Sequence, residues 1–251
     1  MSGAQAGDWR GVTAVVLAGG LGTRLRAVVG DRPKPVADVG GRPFLERIVD
    51  QLEAVGVRRI VLCTGHGAEQ VEMALAGRSG PAEILCSRED RPLGTGGALR
   101  LALPVAGRGT LLVLNGDSFT DADLDGFLAD YRHGGRIPTL LLVEVADARR
   151  YGRVECGPDG NIRAFVEKGA GSGAGWISAG LYLMESERLA AIPTGRPVSL
   201  EREVFPTWVA TGLRGHRSAG RFIDIGTPES YAAATEFFAG PRSSDHEAPR
   251  I

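Results

Sequence analysis

The segment Leu17–Leu25 reads LAGGLGTRL and comes directly after the short apolar run Val12–Val16. An apolar run followed by glycines is typical of a strand that ends in a sharp turn. Glycine lets the backbone turn tightly and brings N–H groups close to an anion. The guanidinium of Arg24 adds a planar cationic group that suits phosphate oxygens. The segment therefore predicts an α/β protein whose first strand ends in a phosphate-binding turn.

Two familiar phosphate-binding motifs are excluded by the residues at the end of this segment. A P-loop requires Gly-Lys-Ser/Thr, whereas Gly22 is followed by Thr23 and Arg24. A dinucleotide fingerprint requires glycine or alanine at the position that Leu25 occupies. An ordinary structural turn is the alternative, but such a turn has no need of an arginine among its glycines. We therefore favour a phosphate site of another kind.

The composition is that of an ordinary globular protein. The 251 residues are 43% hydrophobic and 24% charged, and the net charge of -1 does not indicate a nucleic-acid surface or a polybasic membrane patch. Cys63, Cys86 and Cys156 are too scattered for a disulfide framework or a zinc site. No apolar run approaches the ~20 residues of a membrane span, and MSGAQAGDWR lacks the apolar centre of a signal peptide. We expect a cytoplasmic protein with reduced thiols.

The first half of the chain alternates short apolar runs with amphipathic stretches. The predicted strands are Val12–Ala18, Ile60–Thr64, Ala82–Cys86 and Thr110–Leu114. The predicted helices are Pro43–Val55, Ala68–Leu75, Thr95–Ala102 and Leu124–His133. This alternation predicts a mostly parallel sheet with helices on both faces, in which ligands bind at the carboxyl ends of the strands. Because LAGGLGTRL and Leu114–Asp117 both follow predicted strands, we expect them to lie close together.

The second half contains more β structure. The predicted strands are Thr139–Val145, Gly152–Cys156, Ile162–Glu167 and Trp176–Met184, and the predicted helices are Ser186–Ala191, Leu200–Thr211 and Pro228–Phe238. Neither a linker nor an internal repeat is visible, so we expect a single domain over residues 1–240. Residues 241–251 are polar and follow a proline, and we expect them to be a disordered tail.

The lysines are few, and each stands in a suggestive place. Of 29 basic residues only Lys34 and Lys168 are lysine. Lys34 lies between two prolines, ten residues after Arg24, close enough along the chain to share a phosphate site. Lys168 follows Glu167 at the end of a predicted strand, where the carboxylate suits sugar hydroxyls and the ammonium suits a phosphate. A rigid connector and a solvated ion pair are the structural alternatives.

Three further clusters carry chemistry. The stretch Glu89–Ala98 has a glycine run at the start of a helix, and such a run lets a base or ribose lie against free N–H groups. Asp117 ends an apolar strand, and Asp224 lies between β-branched neighbours far downstream. A pair of aspartates is what a Mg²⁺ that bridges substrate phosphates requires. A plain helix start and an ordinary helix cap are the alternatives.

In chain order, these segments resemble the sugar-1-phosphate nucleotidyltransferases, also called NDP-sugar pyrophosphorylases. The matching pieces are LAGGLGTRL, PKP, PLGTGGAL, LNGDS, FVEK and FIDIGTP. The resemblance implies a Rossmann-like (GT-A-like) fold, a mostly parallel sheet flanked by helices with a smaller antiparallel sugar-binding region. It also implies an enzyme that joins a sugar 1-phosphate to an NTP and releases pyrophosphate, with Mg²⁺ as cofactor. Neither nucleic acid nor a membrane is an expected partner, and the oligomeric state, including a homodimer, stays open.

The resemblance also implies roles for particular residues. The expected nucleotide-binding residues are Leu17, Ala18, Gly19, Gly20, Gly22, Thr23, Arg24, Glu89, Gly94 and Thr95. The expected sugar-phosphate-binding residues are Asn115, Gly152, Glu167, Lys168 and Ser178. Arg24, Lys34 and Lys168 are the expected catalytic residues, and Asp117 and Asp224 the expected metal ligands.

Within the family, the chain is similar to the D-glycero-D-manno-heptose 1-phosphate guanylyltransferases. The stretch RLRAVVGDRPKP lacks a proline that mannose- and glucose-phosphate enzymes usually carry, and PLGTGG replaces their LGTAG. Ser178 stands where the family often has asparagine. The alternative is therefore a mannose-, glucose- or N-acetylmuramate-1-phosphate nucleotidyltransferase that uses another NTP. Glu89 favours GTP, because a carboxylate accepts from both N1–H and the 2-amino group of guanine.

Two alternative functions are less consistent with the sequence. An inactive, regulatory relative is one, but Asp117, Lys168 and Asp224 are all present. The molybdopterin and methylerythritol nucleotidyltransferases have similar opening loops, but they lack the FVEK and DIGTP clusters. We therefore expect a sugar-nucleotide enzyme.

Overall fold

The structure is a computed structural model that describes residues 7–20, 22, 24–166, 169 and 173–240 of the chain. The expectations stated for Thr23, Glu167, Lys168 and residues 241–251 lie outside the described residues.

Thirteen strands are described. In chain order they are β1 (Thr13–Leu17), β2 (Asp38–Val39), β3 (Arg42–Pro43), β4 (Arg59–Thr64), β5 (Glu83–Arg88), β6 (Thr110–Asn115), β7 (Ser118–Thr120), β8 (Thr139–Val145), β9 (Arg153–Cys156), β10 (Ile162–Val166), β11 (Gly175–Glu185), β12 (Arg214–Ser218) and β13 (Phe222–Asp224). Seven of them form the main sheet in the order β12-β8-β11-β6-β1-β4-β5, and β11 alone runs antiparallel to its neighbours there. The pairs β9-β10, β7-β13 and β2-β3 form small antiparallel sheets. The predicted fold class is confirmed.

Eight α-helices are described. They are α1 (Arg26–Val29), α2 (Phe44–Val55), α3 (Ala68–Leu75), α4 (Gly94–Ala106), α5 (Leu124–His133), α6 (Ser186–Ala190), α7 (Phe205–Thr211) and α8 (Pro228–Ala239). Short 3-10 turns occupy Lys34–Val36 and Ala148–Arg150, and a π-helical turn occupies Leu200–Val204. No helix among the described residues is long and apolar enough to cross a membrane.

Two hydrophobic clusters cover the two faces of the main sheet. Along β1, Ala14 and Val16 belong to one cluster and Val15 to the other, as the alternation of side chains along a strand requires. The first cluster includes residues of α2, α3, α5 and α8, and the second includes residues of α4, α6 and α7. The sheet is thus buried on both faces, which explains the continuous apolar runs in β4, β6 and β8.

Several predicted elements differ from the observed ones. The helix predicted to end at Ala102 continues through Pro104 to Ala106. The single helix predicted over Leu200–Thr211 is a π-helical turn followed by α7. Strand β12 was not predicted, because its sequence RGHRS is polar and becomes a strand through pairing with β8 at the sheet edge.

Candidate active site

A cavity of about 780 Å³ opens at the carboxyl ends of the parallel strands β1, β4, β5 and β6. Leu17 and Asn115 are register partners at the ends of β1 and β6, and both line the cavity. The expected convergence of the opening segment with Leu114–Asp117 is therefore found. Ten of the residues expected at the site line this cavity, namely Leu17, Gly19, Gly20, Gly22, Lys34, Glu89, Gly94, Thr95, Asn115 and Asp117.

Other expected site residues lie outside the lining of this cavity. Ala18 is fully buried, and its N–H donates to the carbonyl of Cys63, so that donor is engaged within the sheet. Arg24 is exposed just before α1. Gly152 follows the 3-10 turn at Ala148–Arg150 and has a positive φ of 80°. Two more, Ser178 and Asp224, contact lining residues or their neighbours, as described below.

Glu89 lines the cavity and lies just after β5. Its Oε2 accepts from the N–H of Leu93 at 3.0 Å. A Cβ atom added at Gly65 would lie 2.8 Å from Glu89 Oε1, and one at Gly19 would lie 3.2 Å from it. These two glycines therefore leave room for the carboxylate. Burial raises the pKa of Glu89, and the hydrogen bond from Leu93 partly opposes that shift.

The glycine run at the start of α4 packs against the backbone near Val198. The N–H groups of Gly96 and Gly97 both donate to the Val198 carbonyl, at 2.8 and 3.3 Å. A Cβ atom at Gly94 would lie 2.6 Å from the same oxygen. The expectation of free N–H groups along this run is therefore wrong for Gly96 and Gly97, because the segment before the π-helical turn uses them.

Lys34 and Asp117 line the cavity together, and Asp224 lies beside them. Lys34 Nζ is 3.1 Å from Asp117 Oδ2, and the lysine side chain is only 13% exposed. A Cβ atom at Gly226 would lie 2.7 Å from Asp224 Oδ1 and 3.9 Å from Lys34 Nζ, which places this ammonium near both carboxylates. The pairing of β13 with β7 sets Asp224 opposite Ser118, beside Asp117.

The Asp224 carboxylate is held by its own neighbourhood. Its Oδ1 accepts from the N–H of Gly226 at 2.7 Å, and Arg150 lies 3.5 Å from its Oδ2. The hydroxyl of Tyr151 also bonds this carboxylate, and burial together with that contact raises the pKa of Tyr151. Just beyond it, Thr227 caps α8 and fixes the start of that helix.

The carboxylates beside Lys34 form a donor set that suits Mg²⁺. Carboxylate oxygens are ligands that Mg²⁺ prefers, and it is commonly held by one or two carboxylates together with substrate phosphates. Asp117 and Asp224 supply two such groups, and the Lys34 ammonium beside them shows that the space accepts a cation. Within the described residues, no group of three or more His, Cys, Asp or Glu side chains forms a metal cluster. Phosphate oxygens of a bound substrate would therefore have to complete the coordination.

A polar group from β11 adjoins the cavity beside Asn115. The hydroxyl of the buried Tyr182 lies near the side chains of both Asn115 and Ser178. Gly180, with a φ of 77°, passes so close to Asn115 that an added Cβ atom would lie 2.7 Å from Asn115 Nδ2. Ser178 is thus held near the cavity through Tyr182, although it does not line the cavity itself.

Some lining residues carried little or no sequence signal. His66 follows β4 and lines the cavity. Gly65 lies at the end of the same strand, a position that the strand-end rule for ligand sites would have indicated. Glu201 also lines the cavity, but it comes from the π-helical turn, and no pattern in the sequence marks it.

Known proteins share sequence and fold with this chain. The mannose-1-phosphate guanylyltransferase of Mycobacterium tuberculosis is 37% identical over 224 residues, which are 88% of this chain and 62% of that protein. The D-glycero-alpha-D-manno-heptose 1-phosphate guanylyltransferase of Aneurinibacillus thermoaerophilus is 33% identical over 222 residues, 88% of this chain and 96% of that protein. The crystal structure of HddC from Yersinia pseudotuberculosis complexed with GMP-PN superposes with a TM-score of 0.81 at 34% identity, covering 90% of this chain and 99% of that one.

The extent of these matches differs. This chain spans about three fifths of the length of the mannose-1-phosphate guanylyltransferases that it matches. Residues 13–240 match the family described as nucleotidyl transferase. Since this match covers most of the chain and agrees with the motifs and the fold, the chain belongs to the nucleotidyl transferase family.

Proposed function

We propose that this protein is a sugar-1-phosphate guanylyltransferase, which joins GTP and a sugar 1-phosphate to give a GDP-sugar and pyrophosphate. The observation that carries the proposal is a single cavity lined by two kinds of group, the Glu89 carboxylate and the Lys34–Asp117 pair, with Asp224 beside that pair. The first suits a base edge rich in donors, and the second suits phosphates. Two relatives named as guanylyltransferases support the same chemistry.

The base is argued from Glu89. Its Oε1 lies beside Gly19 and Gly65, and no donor among the described residues is hydrogen-bonded to it, so it is available to a ligand. Guanine presents two adjacent donors, N1–H and the 2-amino group, whereas adenine, uracil and thymine oppose the carboxylate with an acceptor. GTP is therefore the favoured nucleotide.

The favoured sugar is D-glycero-D-manno-heptose 1-phosphate. The stretch RLRAVVGDRPKP and the sequence PLGTGG support it, and so does the heptose 1-phosphate relative. Mannose 1-phosphate is the second candidate, because a relative named mannose-1-phosphate guanylyltransferase is 37% identical to this chain. Both sugars share the manno configuration that the heptose name states, so a common mode of binding is expected.

The chemistry needs no protein nucleophile, because the substrate phosphate is already ionised. We propose an in-line attack by an oxygen of the sugar 1-phosphate on the α-phosphorus of GTP. Arg24 would stabilise the leaving pyrophosphate, while Lys34 and Lys168 offset the repulsion between the two anions. Asp117 and Asp224 would hold Mg²⁺, which neutralises phosphate charge when it is bound.

We also propose that residues 1–240 act as one catalytic domain in the cytoplasm. Cys63, Cys86 and Cys156 are free thiols, and Cys86 is exposed, which suits a reducing compartment that supplies GTP.

The test is a pyrophosphate-release assay. It crosses ATP, GTP, CTP, UTP and dTTP with heptose, mannose and glucose 1-phosphates in the presence of Mg²⁺. We expect release with GTP and a manno-configured sugar phosphate. Turnover with UTP or dTTP but not GTP would overturn the guanine assignment, and turnover with glucose 1-phosphate alone would overturn the sugar.

A further inference from the structure

Glu201 lies in the wall of the active-site cavity and has no part in the reaction as described above. It belongs to the π-helical turn Leu200–Val204, which packs against the start of α4. Turns of this kind are rare and occur frequently at functional sites. A functional role for Glu201 is therefore worth testing.

One oxygen of Glu201 is engaged by the protein. Its Oε2 accepts from the hydroxyls of Thr95 and Ser199, both at 3.0 Å. The Thr95 hydroxyl in turn accepts from the N–H of Leu200 at 2.8 Å. These contacts fix the direction of the carboxylate, while no donor of the described chain contacts its Oε1. A fixed carboxylate with one free oxygen is arranged to accept a hydrogen bond from a ligand.

The position of Glu201 limits which ligand group it meets. Its Oε2 accepts from the hydroxyl of Thr95, an expected nucleotide-binding residue that also lines the cavity. A phosphate would be repelled by the carboxylate, and the phosphate-binding cation Lys34 lies with Asp117 instead. The base edge is assigned to Glu89. The donors that remain on the two substrates are the hydroxyls of the ribose and of the sugar.

We propose that Glu201 is a specificity-determining residue that accepts a hydrogen bond, through Oε1, from a hydroxyl of the ribose or of the sugar. The inference rests on the proposed function. A purely structural role is the alternative, and Glu203 offers a matched control for it. From the same turn, Glu203 accepts from the N–H of Ser199 and pairs with Arg196, both at 2.9 Å, but it does not line the cavity.

The experiment measures the binding of GDP-mannose by calorimetry. The probes are GDP-mannose, its 2′-deoxy and 3′-deoxy ribose analogues, its 2-, 3-, 4- and 6-deoxy mannose analogues, and GDP. The proteins are the wild type, Glu201→Gln, Glu201→Ala and Glu203→Gln. We expect one deoxy analogue to bind the wild type and Glu203→Gln about 10-fold more weakly than GDP-mannose, as for a hydrogen bond to a charged group. In Glu201→Ala that difference should fall to within about twofold.

The identity of the affected analogue tells the ribose from the sugar. The inference is overturned if each analogue binds more weakly than GDP-mannose by the same factor in the wild type and in Glu201→Ala. It is equally overturned if Glu203→Gln, like Glu201→Ala, no longer distinguishes the affected analogue from GDP-mannose. Failure of the wild type to bind either GDP-mannose or GDP is a different result, and it would overturn the guanine-nucleotide site on which the proposed function and this inference both rest.

Discussion

At the scale of single residues, Glu89 is the group on which the choice of nucleotide depends. The glycines at positions 19 and 65 make room for its carboxylate, and a side chain at Gly65 would collide with it. Burial raises the pKa of Glu89, because the charged carboxylate loses contact with water. A bound ligand with two hydrogen-bond donors would compensate for that loss. A recognition role explains why a carboxylate occupies this half-buried place.

We predict that Glu89→Gln lowers kcat/KM for GTP about 10- to 100-fold, because the two guanine donors lose a charged bidentate acceptor. The preference of GTP over ATP should shrink by the same factor, as measured by pyrophosphate release. A variant that keeps the wild-type preference would show that backbone groups read the base.

The same residue predicts a pH dependence of GTP binding. Guanine needs the ionised carboxylate, so the affinity of the wild type should fall as the pH is lowered through the raised pKa of Glu89. In Glu89→Gln this part of the dependence should vanish. Calorimetric titrations between pH 5 and pH 8 compare the two profiles, and parallel profiles would contradict the assignment.

Lys34 is the second residue whose surroundings define its role. Its side chain is 13% exposed and contacts Asp117, and a Cβ atom at Gly22 would lie 3.1 Å from its Cγ. We predict that Lys34→Met lowers kcat/KM about 100- to 1,000-fold, as for the loss of a group that stabilises transition-state charge. Lys34→Arg should not restore the rate, since the broader guanidinium has no room. Full activity of Lys34→Arg would show that the space is wider than the structure indicates.

At the scale of elements, the start of α4 shows glycines that serve packing. Gly97 lies inside the helix, where alanine normally stabilises by about 1 kcal/mol. Here an added Cβ atom would lie 2.8 Å from Leu93 Cβ and 3.2 Å from the Arg196 carbonyl. Because of this packing, Gly97→Ala should destabilise the protein instead of stabilising it.

We predict that Gly97→Ala lowers the free energy of unfolding by about 1–3 kcal/mol, the usual cost of overpacking. Urea unfolding measures it. Gly20→Ala is the control, because nothing lies within 4 Å of its Cβ position. It should keep the wild-type stability to within about 0.5 kcal/mol. A stabilised Gly97→Ala would mean that the contact with Arg196 and Leu93 yields easily.

The sequence predicts best the elements whose buried residues follow a regular pattern. Helices α3 and α5 have the predicted bounds because their buried residues recur at the helical spacing, and strand β8 has them because its run from Thr139 to Val143 is buried throughout. Strands β7 and β13 have only three residues each, too few to show a period. Strand β12 is polar, and its conformation comes from its neighbour. Short and edge elements are thus set by tertiary pairing.

At the scale of the whole molecule, the parallel topology explains which parts of the site were predictable. Strands β1 and β6 run side by side, so their carboxyl ends must meet, and the motifs after them meet as expected. Asp224 reaches Asp117 through the pairing of β13 with β7, and Glu201 reaches the cavity through the contact of the π-helical turn with α4. Neither contact follows from a local pattern. The resemblance of FIDIGTP to the family motif predicted Asp224 as a site residue, whereas no feature of the sequence predicted Glu201.

Stability on the sheet face opposite α4 depends partly on an ion cluster that joins α2 to the segment after α3. Arg78 lies 2.5 Å from carboxylate oxygens of both Asp50 and Glu53, and the Glu53 side chain is only 9% exposed. Although burial alone would raise the pKa of Asp50, the hydrogen bonds from Arg78 and Arg42 lower it below its ordinary 3.8. Removal of Arg78 therefore leaves two carboxylates close together without their shared cation.

We predict that Arg78→Met lowers the free energy of unfolding at pH 7 by about 1–3 kcal/mol, less than for a fully buried pair because Asp50 is partly exposed. Since the folded pKa of Asp50 is depressed, its contribution is fully present above the unfolded value and is lost as the pH falls below about 4. The difference between the wild type and Arg78→Met should accordingly narrow in acid. Arg10→Met, which removes a 91% exposed side chain paired with Asp8, is the control and should change stability by less than about 0.5 kcal/mol. An equal effect of the two substitutions in urea unfolding would show that the cluster adds nothing beyond an ordinary surface pair.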